Sequence, residues 1–100
     1  MTDTPRLVIE ARGSGGRVRT ADPAPDGRHA ELTFTDAGAG RISADHTFVP
    51  SSLEGRGLGT ALVERLHEHA AANGLEVVAR CSFVQAKMAA HPEWRDVLAR

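Results

Sequence analysis

Tyrosine is absent from the chain, and its aromatic side chains are one Trp and three Phe. No phenol is therefore available as a catalytic acid. The single cysteine, Cys81, excludes an intrachain disulfide, so stability does not rest on oxidation. No apolar run approaches the ~20 residues of a spanning helix. The opening Met1-Thr2-Asp3-Thr4-Pro5 is polar and lacks the apolar centre of a secretory signal. A cytoplasmic protein with no membrane partner is expected. A net charge of −1 gives no general attraction to nucleic acid or acidic lipid. No basic aromatic patch suggests a nucleic-acid partner either. His67 and His69 would stand about 200° apart around a helix, too far round to share a metal; no metal site is expected.

The 100 residues suit one domain over 1–100, with residues 1–6 a flexible lead. A chain of this size buries roughly 60–70% of its unfolded surface, enough for one core. The first half reads as β. Leu7-Val8-Ile9-Glu10 is a short apolar run, either a strand or a loose lead-in. Gly13-Ser14-Gly15-Gly16 reads as a loop, Arg17 to Thr20 as a weak strand, and Asp22 to Gly27 as a turn. From His29 to Thr35, Ala30, Leu32 and Phe34 alternate with polar residues. Asp36 to Gly40 turns the chain. In the next strand Ile42, Ala44, His46 and Phe48 are expected on one face, and Ser43, Asp45, Thr47 and Val49 on the other.

The second half changes period. A helix is expected from about Thr60 to Asn73, with Leu58, Leu62, Val63, Leu66 and Ala70 as its core stripe. Asn73-Gly74 stops it. Leu75 to Ala79 reads as a short strand. Ser82 would cap a helix over Phe83 to Ala90, and Pro92 would open a last helical turn through Val97. A strand reached through a crossover helix pairs parallel. The expected fold is therefore α/β: an antiparallel meander, then a helix–strand–helix unit on one mixed sheet.

Between the halves stands Glu54-Gly55-Arg56-Gly57-Leu58-Gly59-Thr60. A glycine-rich turn opening a helix aims several backbone N–H groups at one spot, with the positive end of the helix dipole behind it. That is a seat for a phosphate or another anion. A Walker-type loop needs a following Lys that is missing here. A dinucleotide loop needs Gly-x-Gly-x-x-Gly within a βαβ unit, whereas this spacing is Gly-x-Gly-x-Gly after a meander. A plain connecting turn is the third reading.

His46-Thr47-Phe48-Val49-Pro50 and Gly55 through Val63 together resemble the GNAT acetyltransferase superfamily, and in particular its small single-domain members. A second motif supports this: Cys81-Ser82-Phe83-Val84, then His91-Pro92-Glu93-Trp94. The resemblance covers residues 17–98 and implies a compact GNAT-like fold. It implies that Gly55, Arg56, Gly57, Leu58, Gly59 and Thr60 hold the pyrophosphate of acetyl-CoA. Phe48 and Val49 would run beside the pantetheine arm and bond it through the backbone. The superfamily pattern Gln/Arg-x-x-Gly-x-Gly/Ala puts Glu54 at its first position, a departure that either Arg56 offsets or a solvent-facing Glu54 side chain makes harmless.

The implied activity is N-acetyl transfer from acetyl-CoA to an unidentified amine. The alternative is a non-catalytic acyl-CoA-binding sensor or interaction module. Without the superfamily's usual Tyr acid, the catalytic candidates are Cys81 and His46. Cys81 ends a strand before a helix N-terminus, which lowers a thiol's pKa; it is otherwise a small buried residue. His46 suits a general base or a structural histidine. Lys87 stands where relatives often carry an aromatic. His91 would organise the C-terminal corner, Trp94 would anchor it, and His67 and His69 would be surface residues. With no room for extra helices between Arg17 and Pro50, the resemblance implies an open acceptor site suited to a protein lysine, a polyamine or a small amine. A monomer or weak dimer is expected.

Overall fold

The computed structural model describes residues 6–99. Five strands form one sheet in chain order: β1 (Leu7–Arg12), β2 (Gly15–Thr20), β3 (Glu31–Gly38), β4 (Arg41–Phe48) and β5 (Glu76–Ala79). The first four pair antiparallel. β5 joins β4 in parallel, after the crossover helix α1 (Leu58–Ala72). Helix α2 (Ser82–Ala90) and a 3-10 segment, Pro92–Val97, follow. This is the mixed α/β architecture that the periodicity predicts. Among the described residues no helix is long and apolar enough to cross a membrane.

The core forms where two periodicities meet. α1 buries Leu58, Leu62, Val63, Leu66 and Ala70, the expected four-residue stripe. They pack with Ala30, Leu32 and Phe34, the inward residues at the start of β3 and just before it. Leu7 to Glu10 belongs to a paired strand rather than a loose lead: β1 meets β2 from Leu7↔Thr20 to Arg12↔Gly15. The Arg6 carbonyl accepts a hydrogen bond from Ala21 N–H at 2.8 Å, so Arg6 is tied down. The rest of the expected flexible lead lies outside the described residues.

Three local boundaries differ from the sequence reading. Only Gly13 and Ser14 turn the chain, while Gly15 and Gly16 lie within β2. A Cβ on Gly16 would collide with the Glu10 carbonyl and stand 2.9 Å from Phe34 Cζ. Glycine is there to admit the neighbouring strand and a buried ring. The turn after β3 is also tighter than Asp36 to Gly40. It consists of Ala39 and Gly40, with φ of 55° and 76°, the left-handed pair that suits a right-twisted hairpin. At α2 the N-cap is Cys81 rather than Ser82, and no side chain caps the helix by a hydrogen bond. The chain is still extended at Cys81, whose N–H bonds the Ala44 carbonyl at 3.0 Å.

An ion-pair cluster ties the first three strands together. Glu10 lies 2.8 Å from Arg17 and 3.0 Å from Arg19, and Arg17 reaches Glu31 at 3.2 Å. Hydrogen bonds from Arg19 and then Arg17 lower the Glu10 carboxyl to about 2. A folded-state pKa below the unfolded one adds stability that is complete above the ordinary value of 4.5 and lost as pH falls through about 2. In Glu10→Gln, acid unfolding followed by circular dichroism is expected to lose part of its pH dependence across that window. An unchanged acid limb would show that the cluster adds nothing to stability.

Candidate functional site

The site begins where β4 breaks its two-residue alternation. Thr33 pairs with His46 and Phe34 with Ala44, so Asp45 is an extra residue, a β-bulge. Before the bulge, Ile42 and Ala44 are buried beneath the helices. After it the phase reverses: Thr47 stands opposite buried Leu32, and Val49 packs against the core. His46 and Phe48 turn to the exposed face. The expectation that they share a face with Ile42 and Ala44 is therefore wrong. Phe48 is 39% exposed, with the Arg28 guanidinium 5.7 Å from its ring centre.

Beyond the bulge, β4 also parts from β5. Their pairing runs only from Arg41↔Glu76 to Ala44↔Ala79. The N–H groups of Arg80 and Cys81 both bond the Ala44 carbonyl, at 3.1 and 3.0 Å, and the chain then turns into α2. The gap opened between β4 and α2 is a cavity of about 370 Å³, within the usual range for small-molecule sites. Thr47, Val49, Leu53, Leu58 and Phe83 supply much of its wall.

The glycine turn closes the other side. Gly55 and Gly57 take φ of 80° and 73°, a left-handed backbone that strains other residues. Gly57 is the N-cap of α1, and no side chain caps that helix by a hydrogen bond. The amides of Leu58, Gly59 and Thr60 precede the helix's first bond, from Ala61 N–H to the Gly57 carbonyl at 3.0 Å. Gly55, Gly57, Leu58, Gly59 and Thr60 line the cavity, as does Val49. Arg56 does not, nor do Phe48 and His46. Exposed Glu54 does line it, and Arg56 does not stand in the wall to offset its charge.

Gly59 has a different reason to be glycine. A Cβ there would stand 2.5 Å from Phe83 Cζ. Gly59→Ala is expected to displace the Phe83 ring and cost about 1–3 kcal/mol, the usual scale for overpacking. Urea unfolding checks this, and an unchanged midpoint would mean the ring moves freely.

Cys81 is half-buried, its Sγ 3.6 Å from the Thr47 hydroxyl. Burial alone would raise its pKa. The Val84 amide and the Thr47 hydroxyl, with the Phe83 and Thr47 amides, outweigh burial, and the thiol falls below its ordinary value. Thr47, Leu53, Phe83 and Lys87 are the cavity residues that sequence reasoning missed. The i, i+4 spacing of Phe83 and Lys87 was the available signal, since it puts both on one side of α2. Thr47 was hidden by the bulge.

The C-terminal corner is a stack. Trp94 is 5% exposed, with its ring centre 4.0 Å from that of His91 and 6.3 Å from that of His67. His67 is not a plain surface residue, since its Nε2 is also 2.8 Å from Asp96. This corner holds α2 from behind, so two separated motifs, the glycine turn and the Cys81-to-Trp94 stretch, meet at one site.

The model of the GCN5-related N-acetyl-transferase family matches residues 17–97. The chain belongs to this family. Its fold is similar to the solution NMR structure of a GCN5-like protein from Staphylococcus aureus, with a TM-score of 0.72 and 27% identity over 96% of this chain and 91% of that one. No curated protein matches. This GNAT domain carries its cavity between a bulged β4, the glycine turn and α2.

Proposed function

We propose that this GNAT domain binds acetyl-CoA in the cavity and transfers its acetyl group to an amine. The uncapped amides of α1, exposed by left-handed Gly55 and Gly57, carry this reading. A row of N–H groups with a helix dipole behind it suits a pyrophosphate. Val49, Leu53 and Phe83 suit the less polar pantetheine arm beside it. The β4 backbone past Ala44 has no β5 partner, and the chain beyond it at Val49 lies in the cavity wall, open to bond that arm. Phe48 would contribute only through its backbone.

Cys81 is the proposed group that meets the thioester. Its thiolate would attack the acetyl carbonyl; a bond from Sγ to the acetyl carbon forms, and the carbon–sulfur bond to CoA breaks. The CoA thiolate leaves and takes a proton from solvent. A neutral amine then takes the acetyl group and releases the Cys81 thiolate, its own proton passing to solvent. His46 is exposed on the opposite face and does not line the cavity.

No helix lies between β2 and β4 to wall off an acceptor. The acceptor we propose is therefore an accessible amine: a protein lysine, a polyamine or a small amine. Glu54 in the wall and the missing tyrosine favour a second reading, a non-catalytic acyl-CoA sensor or interaction module. Calorimetry with acetyl-CoA and CoA tests binding, and thiol release against an acceptor panel separates enzyme from binder. Binding without thiol release would select the sensor. No binding at sub-millimolar ligand would sink both and leave the glycine turn a plain connection.

A further inference from the structure

Lys87 contributes to the same cavity as the glycine turn. It is half-buried one helical turn past Phe83, with its Nζ 5.4 Å from the Phe83 ring centre. The rim of that ring touches the space above Gly59. One aromatic ring thus separates the ammonium from the first turn of α1. Along α2 the order is Cys81 beside Thr47, then Phe83 against Gly59, then Lys87. Lys87 lines the cavity together with the glycine turn, whereas Cys81 stands behind the wall residue Thr47 and does not itself line it.

The charge pattern gives this position a purpose. Acidic Glu54 is a wall residue, and Lys87 is the single cationic residue lining the cavity among the described residues. Among the described residues neither Glu54 nor Lys87 forms a salt bridge. An ammonium held at a cavity edge without a carboxylate partner is available to an anionic ligand. Its ammonium is held near the Phe83 ring, so less freedom is lost when it engages.

We propose that Lys87 is the cationic ligand for the pyrophosphate of CoA, supplying from α2 the positive charge that Glu54 removes from the turn. This assignment rests on the acetyl-CoA reading above. It makes Lys87 a specificity residue: it selects a phosphorylated thiol carrier over one without phosphates. Charge-assisted hydrogen bonds are among the stronger ones and weaken with salt when exposed.

The test is calorimetry of the full chain with CoA and with 3′-dephospho-CoA, which keeps the pyrophosphate and lacks the other phosphate. Lys87→Gln is expected to bind both ligands about tenfold more weakly, with a shallower salt dependence. Lys87→Arg is expected to stay near the parent, and Glu54→Gln to bind more tightly. Circular dichroism melts of each variant separate lost charge from lost folding. Equal CoA affinity in folded Lys87→Gln and parent would overturn the Lys87 assignment while leaving the acetyl-CoA reading standing. A loss seen with CoA but not with dephospho-CoA would also overturn it, by moving Lys87 to the 3′-phosphate. No CoA binding by the parent would overturn the acetyl-CoA reading, and this assignment with it.

Discussion

Cys81→Ala is expected to slow acetyl transfer by ~10²–10⁴-fold, the range for one positioned group acting on the reacting atoms, while CoA affinity stays close to the parent's. The separation of the two effects follows from the geometry. The sulfur sits beside Thr47 at the N-terminus of α2, whereas Leu58 to Thr60 line the cavity and Cys81 does not. Cys81→Ser keeps the size of the side chain but not its acidity, and is expected to rescue little. The thiol's pKa lies below the ordinary value of 9.0, because the Val84 amide and Thr47 hydroxyl outweigh burial. Transfer is therefore expected to rise with pH through a step below 9.0, and that step should vanish in Cys81→Ala. Mass spectrometry after incubation with acetyl-CoA reads the covalent form directly, as an acetyl adduct on Cys81. Full activity in Cys81→Ala together with no adduct in the parent would rule the thiol out.

Trp94→Ala is expected to lower folding stability by about 3–5 kcal/mol, the usual cost of deleting a large buried aromatic. Domains of this kind are stable by only about 5–15 kcal/mol, so the variant would stand near the edge of folding. Trp94 is 5% exposed and stacks on His91, with His67 of α1 alongside. It therefore couples the crossover helix to the C-terminal segment. Truncation would leave a void between them and free the end of α2, the helix that carries Phe83 and Lys87. Urea unfolding followed by circular dichroism checks this, because the variant loses the chain's single Trp fluorophore. Trp94→Phe keeps a ring against His91 and is expected to lose less. A loss under about 1 kcal/mol on truncation to Ala would show that the corner repacks without its ring.

Much of the site was legible because local chemistry wrote it. Glycines at 55 and 57 announced a turn opening a helix, and the structure gives both a positive φ. The four-residue recurrence from Leu58 to Ala70 announced a helix with one apolar face, and those residues are buried. Gly59 was also singled out, but its reason lay elsewhere: it makes room for Phe83, which is 24 residues away. Close approach of that kind leaves no mark on either segment alone.

The face of His46 was misread for a related cause. An alternating pattern keeps its phase only while each residue meets one partner. The bulge at Asp45 is a mismatch between β3 and β4, so it belongs to the pair of strands rather than to either one. It carries His46 and Phe48 outward and brings Thr47 and Val49 inward. The cap of α2 was misread because a serine at its start suggested a local bond, whereas the Ala44 carbonyl holds the chain extended through Cys81.

The order of strands and helices, the core stripe of α1 and the glycine turn before it were determined by the sequence itself, since periodicity and backbone freedom act over a few residues. Which side chains surround the cavity was decided only by the tertiary structure. Thr47 arrives through a bulge, β5 parts from β4 at Ala44, and α2 brings Phe83 and Lys87 against the turn. Each depends on how two distant segments pack, and packing is a property of surfaces that exist only after the chain has folded.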